Sequence, residues 1–503
     1  MSEVTLPQTG TTPQATGDSA RRAARYARYV FWLMFAMSML NYLDRWIFTG
    51  LSPYIQKDLK FTDFQIGLLN SAFLLVYTIV AMPLGFLADR IARKVIVGAG
   101  VALWSIATIF TGLVSGFGPM LTVRSVLGIG EGSYFPAGTP LLAAFFSPAR
   151  RASVLARWGV GTIIGAAIGF LAASFFTHGS DWRYAFFFTG VPGFAAAMLM
   201  LRLREKNRHE EDPTADRLEG SGPSVWQRFR AYLRVPTIRV IIGLHALGFF
   251  GITAVTTFLT IYLHDAYGSS SIIRRDAFGN VIGTSPAPFP HAGVPDALVP
   301  ILGGGLVLIG GVFGNLYGGA WANRLSRRFA GARVMTGGLG FLIAAPCVAI
   351  AIGSRFALQA FPAYRGASEG TQVLVGVAIL AIFGLLAAFF LNVYNGPTTA
   401  ALLDVIPAAE RASAGGTELA LAHLLGDVWA ATAIGALADG LVTSFGSEWM
   451  GLGAALLLTT PLALVLSGIV GIWGSRFYAR DVAALGTTAA AMLGTEAGTT
   501  ARN

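Results

Sequence analysis

Residues 85–94 read GFLADRIARK, and residues 319–328 read GAWANRLSRR. Gly85 and Gly319, Ala88 and Ala322, Arg90 and Arg324, and Arg93 and Arg327 coincide, while Asp89 becomes Asn323 and Lys94 becomes Arg328. Each stretch follows one long apolar run and precedes another. The same polar signal at equivalent places marks an internal repeat, so the chain reads as two parallel copies of one helical unit.

Outward from this pair, apolar runs fall at about 29–52, 64–88, 94–115, 119–146, 152–177 and 183–203, then at about 237–266, 298–322, 332–354, 371–403, 412–441 and 449–474. A bilayer core takes about 20 apolar residues per crossing helix. With 54% of 503 residues hydrophobic and only 12% charged, the chain needs a lipid solvent and leaves little for a soluble domain. The expected fold is therefore an all-α membrane protein of twelve transmembrane helices in two six-helix pseudo-symmetric halves. Residues 29–203 and 237–474 form the halves; a tail (1–28), a linker (204–236) and a disordered tail (475–503) are expected on the cytoplasmic side.

The net charge of +10 would suit a nucleic-acid partner in a soluble domain, so its distribution decides. Lys and Arg concentrate in alternate loops: Arg21 to Arg28, Arg90 to Lys94, Arg150 and Arg151, Arg202 through Arg239, Arg324 to Arg328, and Arg476. That is the positive-inside pattern, and it predicts both termini in the cytoplasm and the plasma (inner) membrane as location. The opposite loops carry fewer cations, partly offset by Asp58, Asp63, Asp181 and Asp276. A polar stretch followed directly by arginines does not read as a cleavable signal peptide. One cysteine, Cys347, excludes an internal disulfide and gives no thiolate metal site. No cofactor or metal is expected beyond a coupling proton, nor any nucleic-acid partner, and the chain is expected to act as a monomer.

Gly85, Asp89, Arg90, Arg93 and Lys94 resemble the loop signature of the major facilitator superfamily, with Ala92 in place of its second glycine; Arg124, Gly128 and Gly130 resemble its RxxxGxG pattern. The resemblance implies a cytoplasmic gate built from Asp89, Arg90, Arg93 and Arg324. There Asp89 would pair with cations or a helix N-terminus of the other half when the carrier opens outward. NYLDR at 41–45, RSVLGIGEGSY from Arg124 and IPAAERASAGGTELALAHLLGD from Ile406 together look like the spinster family within that superfamily. This implies lysophospholipids or sphingoid phosphates as substrates, with proton linkage, although YFPAG after Ser133 resembles organic-anion carriers.

The residues themselves point to a buried charged site. Arg124, Gly128 and Glu131 share one helix face, but two turns hold the charges about 10 Å apart along the axis, so a third group should come between. Asp44 and Arg45 lie inside the first apolar run, and counting inward brings Asp44 and Arg124 to similar depth, where they are expected to meet. Ionisable residues at such depth are functional candidates, so Asp44, Arg45, Arg124 and Glu131 are taken as the substrate and proton site; a structural ion pair between two helices is the alternative. Gly161, Gly165 and Gly169 make a GxxxGxxxG face that favours close packing. Glu418, His423 and Asp427 form a possible proton relay, or satisfy one another.

Three functions compete at this point: a carrier of an amphiphilic anion, a proton-coupled carrier of a small organic anion such as a sugar acid, and a membrane enzyme or receptor. A sugar-acid site needs converging amides and hydroxyls, and Asn41, Asn70, Asn315, Asn392 and Asn395 are a modest set. The chain has no GxSxG, HExxH or phosphate-loop motif, so neither catalysis nor ATP-driven pumping is expected.

Overall fold

The computed structural model describes residues 13–88, 91–178, 181–205, 225–270, 272–275, 281–285, 287, 289–407 and 410–500. The first half comprises α1 (Pro13–Leu59), α2 (Asp63–Ala88), α3 (Arg93–Thr111), α4 (Phe117–Gly132), α5 (Tyr134–Ala144), α6 (Pro148–Ala173) and α7 (Trp182–Leu201). A short α8 (Val225–Arg234) lies in the linker. The second half comprises α9 (Pro236–Tyr267), α10 (Leu298–Ser326), α11 (Ala332–Gln359), α12 (Pro362–Arg365), α13 (Glu369–Asn392), α14 (Asn395–Asp404), α15 (Arg411–Leu425), α16 (Asp427–Phe445) and α17 (Glu448–Thr500). Between α9 and α10 stands an antiparallel hairpin of β1 (Ile272–Arg275) and β2 (Val281–Ser285), which the all-helical reading did not anticipate.

The helix order follows the expected runs. Among the described residues ten helices are long and apolar enough to cross a membrane. The first and fourth expected crossings are helical but fall outside that group: α1 carries Asp44 and Arg45, and the fourth breaks at Ser133 into α4 and α5. There the Ser133 hydroxyl turns back to donate to the Gly130 carbonyl at 2.7 Å. The eleventh breaks at Gly426, where a Cβ would stand 2.2 Å from the Ala246 carbonyl oxygen. α1 extends back to Pro13, into the expected N-terminal tail, and α17 continues as helix through the Ala-rich stretch past Arg480, where a disordered tail was expected. Arg355, one residue past the expected run 332–354, lies buried within α11 against Tyr267, Phe289 and Trp449.

Glycine sets the helix spacing. A Cβ on Gly161, Gly165 or Gly169 would stand 3.0, 2.1 or 2.9 Å from the carbonyl oxygens of Phe35, Met39 and Leu43, so α6 lies directly on the backbone of α1, in step every four residues. The packing expected of this glycine face is what the structure has. In the second half Gly310, Gly314 and Gly318 sit likewise on the carbonyls of Leu385, Phe389 and Val393, at 2.6, 2.0 and 2.2 Å.

At the basic end each half closes on itself. The Glu205 carboxylate accepts from the backbone N–H groups of Arg93 (3.0 Å) and Lys94 (3.1 Å), capping α3, and Asp481 accepts from the Thr237 N–H (2.9 Å), capping α9. Arg151 Nε donates to the Ala143 carbonyl at 3.1 Å, and Arg411 Nε donates to the Leu403 carbonyl at 3.1 Å. Each strap spans eight residues at the same turn of the repeat. One core cluster, from Val30 to Leu203, belongs to the first half, and another, from Tyr232 to Tyr478, to the second half with its flanking linker and tail, while a third, from Leu43 to Leu464, is shared by both.

The halves meet at the opposite end. Both Asp439 oxygens, on α16, accept from the backbone N–H groups of Asp63 and Phe64 at 3.0 Å each, capping α2 across the interface. Gly67 and Gly435 let the two helices touch: Cβ atoms there would stand 2.1 Å from the Ala431 carbonyl oxygen and 2.2 Å from that of Asp63. Thr432 donates to Ser71 (2.7 Å), Thr260 to the Thr49 carbonyl (2.9 Å) and Tyr54 to the Asp296 carbonyl (2.6 Å).

Candidate functional site

Neighbouring residues on a helix point about 100° apart, so Asp44 and Arg45 cannot both face the fourth crossing. Arg45 does. Its Nη2 lies 2.5 Å from Glu131 Oε2, and its guanidinium rests 5.4, 5.0 and 5.3 Å from the ring centres of Tyr42, Phe73 and Tyr77. The Glu131 side chain is fully buried, whereas that of Arg45 is 26% exposed. Asp44 turns towards α3 and accepts from the Thr108 hydroxyl at 3.1 Å.

The expected meeting of Asp44 with Arg124 does not occur. Arg124 is buried and donates to Asn70 Oδ1 at 3.1 Å, with its guanidinium 3.8 Å from the Phe48 ring centre and 5.0 Å from that of Phe73. Both guanidinium groups thus approach the Phe73 ring. Among the described residues no carboxylate lies within ion-pair distance of Arg124. Glu131 is therefore paired with Arg45 and not with Arg124, while Asp44 faces Thr108.

In the second half His423 Nδ1 lies 2.8 Å from Asp427 Oδ2, the one-turn contact that the sequence spacing allows. Glu418 is not part of it. Its Oε1 lies 2.6 Å from Nδ1 of His245, on α9, whose Nε2 lies 2.8 Å from the Thr398 hydroxyl. Phe249 stacks with both imidazoles, its ring centre 5.3 Å from that of His245 and 5.0 Å from that of His423. Sequence reasoning missed His245, and the available signal was a histidine inside the apolar run GLHALGFF.

Of the expected gate, Asp89 and Arg90 lie outside the described residues. Arg93 opens α3 against Glu205, and Arg324 is exposed near the end of α10.

The family model of the Major Facilitator Superfamily matches residues 34–426, more than half of the chain. The chain is similar to the protein spinster homolog 1 of Xenopus tropicalis, 25% identical over 458 residues that cover 90% of this chain and 80% of the relative. Its human counterpart is 27% identical over 455 residues, covering 88% and 79%. Among solved structures, a bacterial homolog of the human lysosomal transporter spinster, inward-facing and occupied, superimposes with a TM-score of 0.67 at 18% identity, covering 91% of this chain and 97% of that one. A D-xylose-proton symporter gives 0.61 at 15%, covering 90% and 97%. At these identities the solved structures establish the fold alone. The apolar crossings, the repeated halves and the match over residues 34–426 make this chain a transporter, and not an enzyme, of the major facilitator superfamily.

Proposed function

We propose that the chain is an alternating-access carrier, linked to protons, that moves an amphiphilic anion such as a lysophospholipid or a sphingoid phosphate. One observation carries the reading: Arg45, partly open, is held by a Glu131 that is sealed. An anionic headgroup that takes Arg45 leaves a buried carboxylate without its counter-charge, and such a group favours taking a proton. Substrate and proton affinity are then linked. Arg124 supplies a second cation for the headgroup. The hydrocarbon chain is proposed to lie along the apolar cleft among α9, α10, α11 and α13, lined by Val255, Leu259, Val307, Val348 and Leu380.

Alternation needs two closures that exclude each other. The Asp439 joint is one, and Asp89, Arg90, Arg93 and Arg324 at the basic end are proposed as the other. Purified protein in liposomes tests the substrate: lysophospholipid movement should rise when a pH gradient is imposed. Movement of glucuronate with none of lysophospholipid would replace the amphiphile by a sugar acid.

The basic end is proposed to face the cytoplasm in a plasma membrane, with the chain acting as a monomer. Single cysteines at Ser221 and Ser270 in a Cys347→Ala background should label from opposite sides. Labelling of both from one side would overturn the twelve-helix assignment.

A further inference from the structure

We infer that His245 and Glu418 form a second proton site, in the second half of the bundle, holding one proton between Nδ1 and Oε1 while the halves are joined as described. The argument starts from Thr398. Its hydroxyl has one hydrogen, which goes to the Tyr394 carbonyl at 2.9 Å, because a carbonyl only accepts. Facing His245, the same oxygen therefore accepts, so Nε2, 2.8 Å away, carries a hydrogen. With Nε2 protonated, Nδ1 and the Glu418 oxygen 2.6 Å from it would oppose two lone pairs unless a proton lies between them. The pair is then imidazolium with carboxylate or imidazole with carboxylic acid. Either way it is neutral in sum, which suits two side chains each only 6% exposed.

The surroundings add few other charges. From α15 and α16, His423 stacks on Phe249 with Asp427 against its Nδ1. Before α14, Tyr394 presents its ring edge to His245 at 5.0 Å. From α11 comes uncharged Phe341, stacked on Tyr394, and from α17 the Ser467 hydroxyl, which donates to the Leu244 carbonyl. His423 differs from His245: its side chain is 23% exposed, and Asp427 engages its Nδ1 alone. The two imidazoles thus stack on one phenyl ring, the His423 ring partly exposed and the His245 ring sealed. Three helices, α9, α14 and α15, hold the inner proton, so shear of α15 against α9 would part Nδ1 from Oε1 and release it.

The inference rests on the carrier reading for its role, and the test keeps the two apart. Nitrogen-15 NMR of the full chain, histidine-labelled in lipid nanodiscs, should find His245 with Nε2 protonated and Nδ1 shifted between the bare and protonated positions. In Glu418→Gln the Nδ1 signal should move to the bare position. A bare Nε2 in the wild-type protein overturns the assignment. Electron–electron distance measurements between spin labels at the basic ends of α2 and α15 should give an equilibrium between the two closures that varies with pH. Each linked proton contributes up to about tenfold per pH unit, and Glu418→Gln should remove about one such factor. An unchanged slope would leave a structural pair and defeat the proton site. A protein that moves no lysophospholipid would defeat the substrate reading and leave both measurements interpretable.

Discussion

Glu131→Gln should transport with a flat pH profile, because the amide keeps the shape and one acceptor for Arg45 but takes no proton. The companion substitution has the larger effect. Arg45→Ala leaves the fully buried Glu131 without its counter-charge, and stranding one partner of a buried pair costs about 3–5 kcal/mol. That is on the order of a hundredfold or more in any equilibrium that needs the carboxylate charged. Transport by Arg45→Ala should fall by at least that factor in alkaline buffer and recover in part on acidification, as Glu131 is neutralised. The double variant Arg45→Ala, Glu131→Gln should regain the thermal stability lost in Arg45→Ala without regaining pH dependence. Liposome uptake against pH and melting in detergent measure both. A Glu131→Gln profile identical to wild type would reduce the pair to a brace between helices. The same assay on Asp44→Asn separates the two carboxylates: a wild-type profile there makes Asp44 a packing partner of Thr108.

The second expected result concerns the joint opposite the basic end. Asp439→Ala removes two acceptors from the first turn of α2, where an anion is worth about 0.3–2 kcal/mol depending on burial. The equilibrium should shift by up to about thirtyfold towards opening at that end, visible as longer distances between labels on α2 and α16. Asp439→Asn, which keeps an oxygen but loses the charge, should fall between. Gly67→Val should go further, since its Cβ would stand 2.1 Å from the Ala431 carbonyl oxygen and that neighbour is backbone. Unchanged distances in Asp439→Ala would leave the helix contact itself as the closure.

Charges in alternate loops, the repeated motif and the apolar runs made the helix order legible, because a bilayer imposes one length and one orientation rule on every crossing. The site was legible as a set of residues and only partly as a set of contacts. Helical spacing within one segment was enough for His423 with Asp427, four residues apart. Arg45 and Glu131 lie 86 residues apart, and His245 and Glu418 173 apart; depth alone does not settle which face of one helix meets another. Depth favoured Asp44 as the partner of Arg124, and the 100° step from Asp44 to Arg45 reversed it. Asp439 left no signal because its partners are backbone N–H groups, which every residue but proline has.

The two arginine straps have a consequence for how the chain is made. Each ties its own loop within eight residues, and each half carries a private core. A ribosome delivering the chain from the amino terminus therefore completes one self-locked bundle before the second leaves the exit tunnel, as domains emerging in order tend to do. What the later half must meet is the Gly67 face of α2, the N–H groups at its start, and the first-half side of the shared core. Assembly of the whole becomes a docking step between two folded bodies.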